Sequence, residues 1–158
     1  MDFYQFEDFK LSKLNFLLKL KDRVVLPKYK GSTFRGGFGH VFRKVVCPLK
    51  GKVCSECILK EKCIYSYIFE TLTPKDTKKM RKYPYVPHPF IIEPPLDKKT
   101  EYITDEFINF KLILIGKAID YLPYFIYTFC ELGKIGIGKN RAKFDLYQVK
   151  NDGTNKDI

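Results

Sequence analysis

Hydrophobic positions recur along this chain with two different periods. Over residues 11–26, apolar and polar residues alternate imperfectly, which predicts a β-strand that ends at Pro27. From Phe34 the apolar residues recur every three or four positions, which predicts an amphipathic helix with Ser32 or Thr33 as its N-cap. The first part of the chain therefore predicts a strand followed by a helix.

The same two periods continue through the rest of the chain. The predicted strands lie at 65–72, 90–92, 106–116 and 142–149. Residues 117–133 predict a helix that ends at Gly133 as its C-cap. The order β-α-β-β-α-β predicts an α+β, ferredoxin-like (RRM-like) sandwich, in which both helices cover one face of four antiparallel strands. We expect residues 1–150 to form this single domain and residues 151–158 to form a polar tail.

The charge of the chain points to a polyanionic partner. Among 158 residues, 29 Lys and Arg exceed 18 Asp and Glu, which gives a formal net charge of +11. Such an excess indicates nucleic acid or an anionic membrane surface, and the alternative is a surface that is merely well solvated. The basic residues concentrate in segments 1–50, 73–82 and 133–150, whereas 101–132 is mildly acidic. This uneven distribution favours a binding surface.

The most apolar stretch, residues 110–133, is not typical of a membrane span. Lys117, Asp120 and Pro123 interrupt it, which favours a buried strand followed by a helix. The first residues show no signal-peptide pattern. We therefore expect a cytoplasmic protein with reduced thiols and no membrane partner.

Four of the five cysteines cluster in a loop-like insertion at 47–63. They follow the spacing Cys47-x6-Cys54-x2-Cys57-x5-Cys63, and a Cys-x2-Cys pair suits two corners of a tetrahedral metal site. The spacing predicts a structural metal site, with zinc as the first choice and an iron–sulfur cluster as the alternative. The fifth thiol, Cys130, is predicted to be a small core residue.

Two glycine-rich segments carry the other candidate chemistry, "GSTFRGGFGHVFRK" at 31–44 and "ELGKIGIGKNRAKF" at 131–144. Glycine lets a backbone approach a ligand closely, so Gly36, Gly37 and Gly39 are expected to admit RNA or a neighbouring loop to the first helix. In the second segment, successive amides can form an anion nest that adjacent cations complete. The predicted phosphate-binding residues are Gly136, Gly138, Lys139, Arg141 and Lys143, to which we add Arg35 and Arg43 on the first helix. The second segment matches neither a Walker A motif nor a dinucleotide fingerprint.

Four segments in this order, 26–47, 54–71, 87–95 and 132–149, resemble the N-terminal half of CRISPR-associated RAMP proteins. Within these proteins they are most similar to the precursor-crRNA-processing endoribonucleases. The resemblance implies a ferredoxin-like RNA-binding domain, recognition of CRISPR repeat RNA, and metal-independent cleavage that leaves a cyclic phosphate. It also implies other CRISPR-associated proteins as partners. Family members usually carry a second such domain, which we expect to be absent from this chain.

The resemblance also implies the residues that cleave RNA, a histidine on the first helix with a tyrosine and a lysine nearby. By position these are His40, Tyr29 and Lys44. An imidazole with a pKa near 6.5 suits either proton-transfer role, although a lone histidine also fits a surface position without chemistry. The other histidine, His88, lies between prolines and is predicted to pack a loop. The lysines and arginine of 73–82 are expected to make only nonspecific contacts.

Two other functions are compatible with the same residues. The first is a noncatalytic RAMP subunit that binds guide RNA in a CRISPR effector complex. The second is an adaptor, stabilised by zinc, whose basic face binds an acidic protein. The enzyme and the noncatalytic subunit differ at His40, because only the enzyme needs this imidazole.

Overall fold

The computed structural model describes residues 9–49, 53–71 and 85–158 of the chain. The basic run at 73–82 therefore lies outside the described residues. The regular elements in chain order are β1 (Leu11–Leu20), β2 (Val24–Val25), α1 (Gly31–Val46), β3 (Phe90–Glu93), β4 (Glu101–Tyr102), β5 (Phe107–Ile115), α2 (Leu122–Ile135) and β6 (Phe144–Asn151).

Four strands form an antiparallel sheet in the order β3-β5-β1-β6. The long central strands pair from Leu11 with Ile115 to Lys19 with Phe107. Within the part of the chain that the structure describes, the short strand β3 pairs with β5 alone, so it forms one edge of the sheet, and β6 forms the other. A register shift between Leu17 and Leu18 marks a bulge in the pairing of β1 with β6. The predicted α+β class is confirmed, and the strand order is compatible with a ferredoxin-like sandwich.

Helices α1 and α2 pack on each other and on the same face of the sheet. Alternate residues of β1 are fully covered by the helices, which explains why one set of leucines is buried and its neighbours are not. At the centre, the Phe38 ring has its centroid 5.0–5.9 Å from five other phenylalanine rings, those of Phe42, Phe69, Phe90, Phe125 and Phe129. The apolar face predicted from Phe34 onward is this core face of α1.

The strand predicted at 65–72 is wrong. Residues Ser66–Glu70 form a π-helical segment that ends at Thr71, whose φ of 42° is left-handed. The alternation of Tyr65, Tyr67 and Phe69 imitates a strand, but Tyr65 and Phe69 are also four residues apart and stack at 5.3 Å on one helical face. Packing of Phe69 on the aromatic core decides between the two patterns.

The predicted helix ends also need correction. Helix α1 begins at Gly31 after Lys30, and neither Ser32 nor Thr33 acts as N-cap. The segment predicted as one helix from 117 is a 3-10 segment, Gly116–Tyr121, followed by α2, because Pro123 fits only the first turn of an α-helix. Gly133 is inside α2, and the C-cap is Gly136 with a φ of 94°.

Cys130 is exposed rather than buried, contrary to the prediction. The core face of α2 is set by Phe125, Phe129 and Leu132, and this phase turns Cys130 outward. None of the helices in the described ranges is long and apolar enough to cross a membrane.

Candidate nucleic-acid interface and cysteine site

The glycines of α1 differ in what surrounds them. A Cβ at Gly37 would lie 3.3 Å from Leu132, and one at Gly39 would lie 3.0 Å from the Phe69 ring. These two glycines therefore admit side chains of the protein itself, which fits the second of the two expectations, a neighbouring segment rather than RNA, at these positions. At Gly36 a Cβ would meet nothing within 4 Å. This is the position on α1 where the backbone remains open to an approaching molecule.

The predicted catalytic residues are only partly brought together. His40 and Lys44 are exposed and lie one turn apart on α1, in line with Gly36. Tyr29 precedes the helix, and its ring packs where a Cβ of Gly31 would be. The nine positions from Gly31 to His40 correspond to about 14 Å of helix. Tyr29 is thus at one end of α1 and His40 is near its middle.

Arg35 is held against two aromatic rings. Its guanidinium carbon lies 4.8 Å from the centre of the Phe90 ring and 5.7 Å from that of Phe69. Stacking of this kind fixes the plane of the guanidinium and leaves its N–H groups free to donate at the edge. Farther along α1, Arg43 lies 5.7 Å from the ring of Tyr65. The sequence predicted both arginines as phosphate contacts but not their aromatic supports.

The glycine-rich loop after α2 is closed by its own hydrogen bonds. The Ile137 and Ala142 backbones exchange two hydrogen bonds of 2.9 Å, the Arg141 N–H donates to the Gly138 carbonyl, and the Gly136 N–H donates to Leu132. A Cβ at Gly136 would lie 2.1 Å from the Arg141 oxygen. These four amides bond within the protein and close a turn, so they are not available to the expected anion nest.

The same loop presents three exposed cations, Lys139, Arg141 and Lys143. Across residues 9–49, 53–71 and 85–158, none of them forms an ion pair with a carboxylate. Two hydrogen bonds attach the loop to the turn between β1 and β2. The Asn140 side-chain amide donates to the Arg23 carbonyl, and the Lys143 N–H donates to Asp22 Oδ2 at 2.9 Å. Gly138 packs against Val24, where a Cβ would come within 2.9 Å. The result is a rigid loop that carries uncompensated positive charge.

Nearby cations in the turn between β1 and β2 are compensated. Lys21 pairs with Asp145 at 2.7 Å, and Arg23 pairs with Glu101 at 2.8 Å. The cations of the glycine-rich loop therefore differ from the neighbouring Lys21 and Arg23, which are paired with carboxylates.

The four predicted metal ligands line one small cavity. Cys47, Cys54, Cys57 and Cys63 surround about 20 Å³ beside Tyr65. Cys47 Sγ donates to the Leu49 carbonyl at 3.5 Å. Burial raises the pKa of the Cys54 thiol, and the nearby Arg43 opposes this rise. Within the described part of the chain, no three His, Cys, Asp or Glu side chains converge closely enough to hold a metal ion. The cavity gathers the right donors, and the metal site stays a prediction.

His88 is exposed and contacts neighbouring segments from its loop, in line with the predicted loop-packing role. Its Nδ1 lies 3.2 Å from the Ile68 carbonyl, and its ring lies 6.2–6.3 Å from those of Phe69 and Phe90.

Comparison with known proteins places the chain in a family. A family model described as AF_1859_N, an N-terminal domain, matches residues 9–158. The chain belongs to this family. It is also 29% identical, over 147 residues and 90% of its length, to an uncharacterized protein of Archaeoglobus fulgidus. The aligned part is 48% of that protein, so the chain spans about half the length of the curated relative it matches.

Proposed function

We propose that this chain binds RNA, that its target is CRISPR repeat RNA, and that it takes part in precursor-crRNA processing. The observation that carries the proposal is the fixed loop with Lys139, Arg141 and Lys143, none of whose side chains forms an ion pair with a carboxylate of the described residues. Cations without an internal partner are free to neutralise phosphates and release their counterions. The ferredoxin-like reading of the sheet and the four segments that resemble RAMP proteins support RNA as the polyanion.

The exposed side of α1 supplies a second basic surface with a proton-transfer group. His40 lies one turn after the open backbone at Gly36, and Lys44 lies one turn after His40. In metal-independent cleavage the 2′-oxygen attacks the phosphorus, its proton passes to a base, and the 5′-oxygen leaves with a proton from an acid, which yields a 2′,3′-cyclic phosphate. His40 suits one of the two proton transfers, and Lys44 suits the negative charge that develops on the phosphorane oxygens.

The cysteine loop is proposed to be a structural metal site. Four thiolates are soft donors that suit zinc, and an iron–sulfur cluster is the alternative. The site would fix residues 47–63 against α1 through Cys47, which follows the last turn of that helix. No step of RNA cleavage depends on it.

A noncatalytic function is the second candidate, and one distance favours it. The Tyr29 ring packs at Gly31, and about 14 Å of helix separates Gly31 from His40, too far for both side chains to act on one phosphate. A RAMP subunit that holds guide RNA in an effector complex would need the basic surfaces but not the catalytic residues His40, Tyr29 and Lys44. In either case we propose a cytoplasmic protein that works with other CRISPR-associated proteins.

The test is incubation of the full chain with repeat RNA in EDTA, followed by gel analysis of binding and products. The triple variant Lys139→Gln, Arg141→Gln, Lys143→Gln should bind at least tenfold more weakly. Its log–log salt slope should be smaller by about 2, because each phosphate contact on a single strand contributes roughly 0.7. The control is Lys134→Gln, which removes an exposed cation that is already paired with Glu131 at 2.6 Å. Unchanged affinity of the triple variant would overturn the proposal.

A further inference from the structure

A pocket of about 370 Å³ opens between the start of α1 and the edge strand β3. It contains one positive charge and no acidic group in its lining, which consists of Tyr29, Gly31, Ser32, Arg35, Phe90, Ile91 and Ile92. A volume of this order is within the range of ligand sites. The pocket is not predictable from the sequence pattern, because its two sides are about 60 residues apart in the chain.

The cation of this pocket is prepositioned and unpaired. Arg35 lies over Phe90 at 4.8 Å, and among the described residues it forms no ion pair. A guanidinium that is already oriented loses little side-chain entropy when it binds a phosphate through two N–H groups. Because no carboxylate in the described ranges pairs with this charge, an anionic ligand would not have to displace one of them.

Apolar surface flanks this cation and remains exposed. The Tyr29 side chain is 68% exposed, and Ile92, which lies on the same face of β3 as Phe90, is partly exposed. A flat heterocycle can stack on a tyrosine ring and cover an aliphatic side chain. A ligand with a phosphate and a planar base therefore matches both features of the pocket.

We propose that this pocket binds one unpaired nucleotide, with its phosphate on Arg35 and its base between Tyr29 and Ile92. The inference rests on the proposed RNA-binding function and assigns it a base-reading site away from the glycine-rich loop. The nucleotide could belong to an RNA strand or be free in solution, and both share this chemistry.

The structure offers a substitution that alters the pocket without changing its charge. A Cβ at Gly31 would lie 2.6 Å from the outer atoms of the Tyr29 ring, so Gly31→Ala should push this flexible side chain aside. Alanine suits the helical position, and the fold should remain intact. Gly153→Ala, where the nearest atom is 3.5 Å away, is the matched control.

The experiment measures fluorescence anisotropy of the full chain with a labelled single-stranded RNA, and with the same strand carrying abasic sites. Tyr29→Ala and Gly31→Ala should weaken binding to the normal strand about fivefold to tenfold, the scale of one stacked base. They should leave binding to the abasic strand unchanged. Arg35→Gln should weaken binding to both strands and lower the salt slope by about 0.7. Tyr147→Ala, which removes another exposed tyrosine from the opposite face of the sheet, should have no effect.

Several outcomes separate this proposal from the general one. If the glycine-loop triple variant loses affinity but Gly31→Ala, Tyr29→Ala and Arg35→Gln bind as wild type, the pocket proposal is wrong and RNA binding stands. If the wild type binds no RNA, both are wrong. Competition by UMP that is sensitive to Tyr29→Ala would support the pocket with a free nucleotide as its ligand. Displacement of the RNA by polyglutamate as effectively as by unlabelled RNA would overturn nucleotide binding.

Discussion

Lys30 and Asp97 join the start of α1 to a loop 67 positions further along the chain. The Lys30 side chain is fully buried, and its Nζ donates to the Asp97 carbonyl at 2.9 Å and to its carboxylate at 3.1 Å. Tyr102 donates its hydroxyl to the same carboxylate at 3.0 Å. This clasp of Lys30, Asp97 and Tyr102 joins the start of α1 to the loop that follows β3. Both β3 and the start of α1 line the pocket.

Removing the carboxylate of this clasp should destabilise the fold. Asp97→Ala leaves a buried ammonium group with only a carbonyl acceptor, and we expect a loss of about 2 kcal/mol in the free energy of unfolding. This is less than the ~3–5 kcal/mol for a fully buried pair, because Asp97 is half exposed. Asp120→Ala, at an exposed carboxylate outside any ion pair of the described residues, should change little. Urea unfolding of both variants measures this, and equal midpoints would contradict the prediction.

The clasp should also make stability depend on pH. Burial alone would raise the pKa of Asp97, but hydrogen bonds from Lys30, Tyr102 and Lys99 together lower it below 3.8. A lowered pKa stabilises the fold fully above the unfolded value, and this contribution is lost as the pH falls through the folded one. Between pH 5 and about 2, the wild type should therefore lose more stability than Asp97→Asn. Parallel curves for the two proteins would show that Asp97 is not responsible.

Glycine-to-alanine substitutions should have opposite effects at two positions. Gly36→Ala should stabilise the protein by up to about 1 kcal/mol, because the site is helical and a Cβ meets nothing. Gly133→Ala should destabilise it by roughly 1–3 kcal/mol, because a Cβ would lie 2.2 Å from the Phe144 carbonyl oxygen. Thermal unfolding compares them. A destabilised Gly36→Ala protein would mean that the open surface at this position is misassigned.

His40 separates the enzyme from the noncatalytic subunit. His40→Ala should leave RNA affinity nearly intact, since a neutral imidazole adds little to a charge-dominated interface. If the chain or its full-length parent cleaves RNA, the single-turnover rate should fall by about 10²–10⁴-fold. Lys44→Ala should lower affinity and rate together. A His40→Ala protein that cleaves at the wild-type rate would leave only RNA binding.

Replacing a cavity cysteine should change the metal content of the protein, whereas replacing the exposed Cys130 should not. Purified without oxygen, the chain should contain tightly bound zinc, or iron and sulfide if a cluster forms. Cys54→Ser should lose metal and lower the melting temperature, whereas Cys130→Ser, at an exposed thiol, should do neither. Elemental analysis that finds no metal in the wild type would rule the site out.

The sequence predicts most of the fold because its strong signals are local. The phase of Phe34, Phe38 and Phe42 fixes the inward face of α1, and the alternation at 106–116 anticipates β5. It fails at 65–72, where one set of aromatic residues fits both a strand and a helix. Only contact with rings from α1 and β3 selects the helix.

The candidate site is less accessible to sequence reasoning, because residue type alone does not reveal what a side chain contacts. Gly37 and Gly39 look alike as ligand-admitting glycines, yet Leu132 and Phe69 fill their space. Arg35 is recognisable as a cation, but the rings that orient it come from distant segments. Charge and thiol spacing could be predicted, whereas packing partners could not.

The short edge strand β3 has a consequence for self-association. An unpaired strand edge can recruit a strand from another molecule and start aggregation. Here Pro89 directly precedes the strand and Pro94 directly follows it. Neither proline has an N–H to donate, so a foreign strand could extend its ladder over only four residues. The prolines that frame one wall of the pocket thereby also protect a concentrated solution of this protein from edge-to-edge stacking.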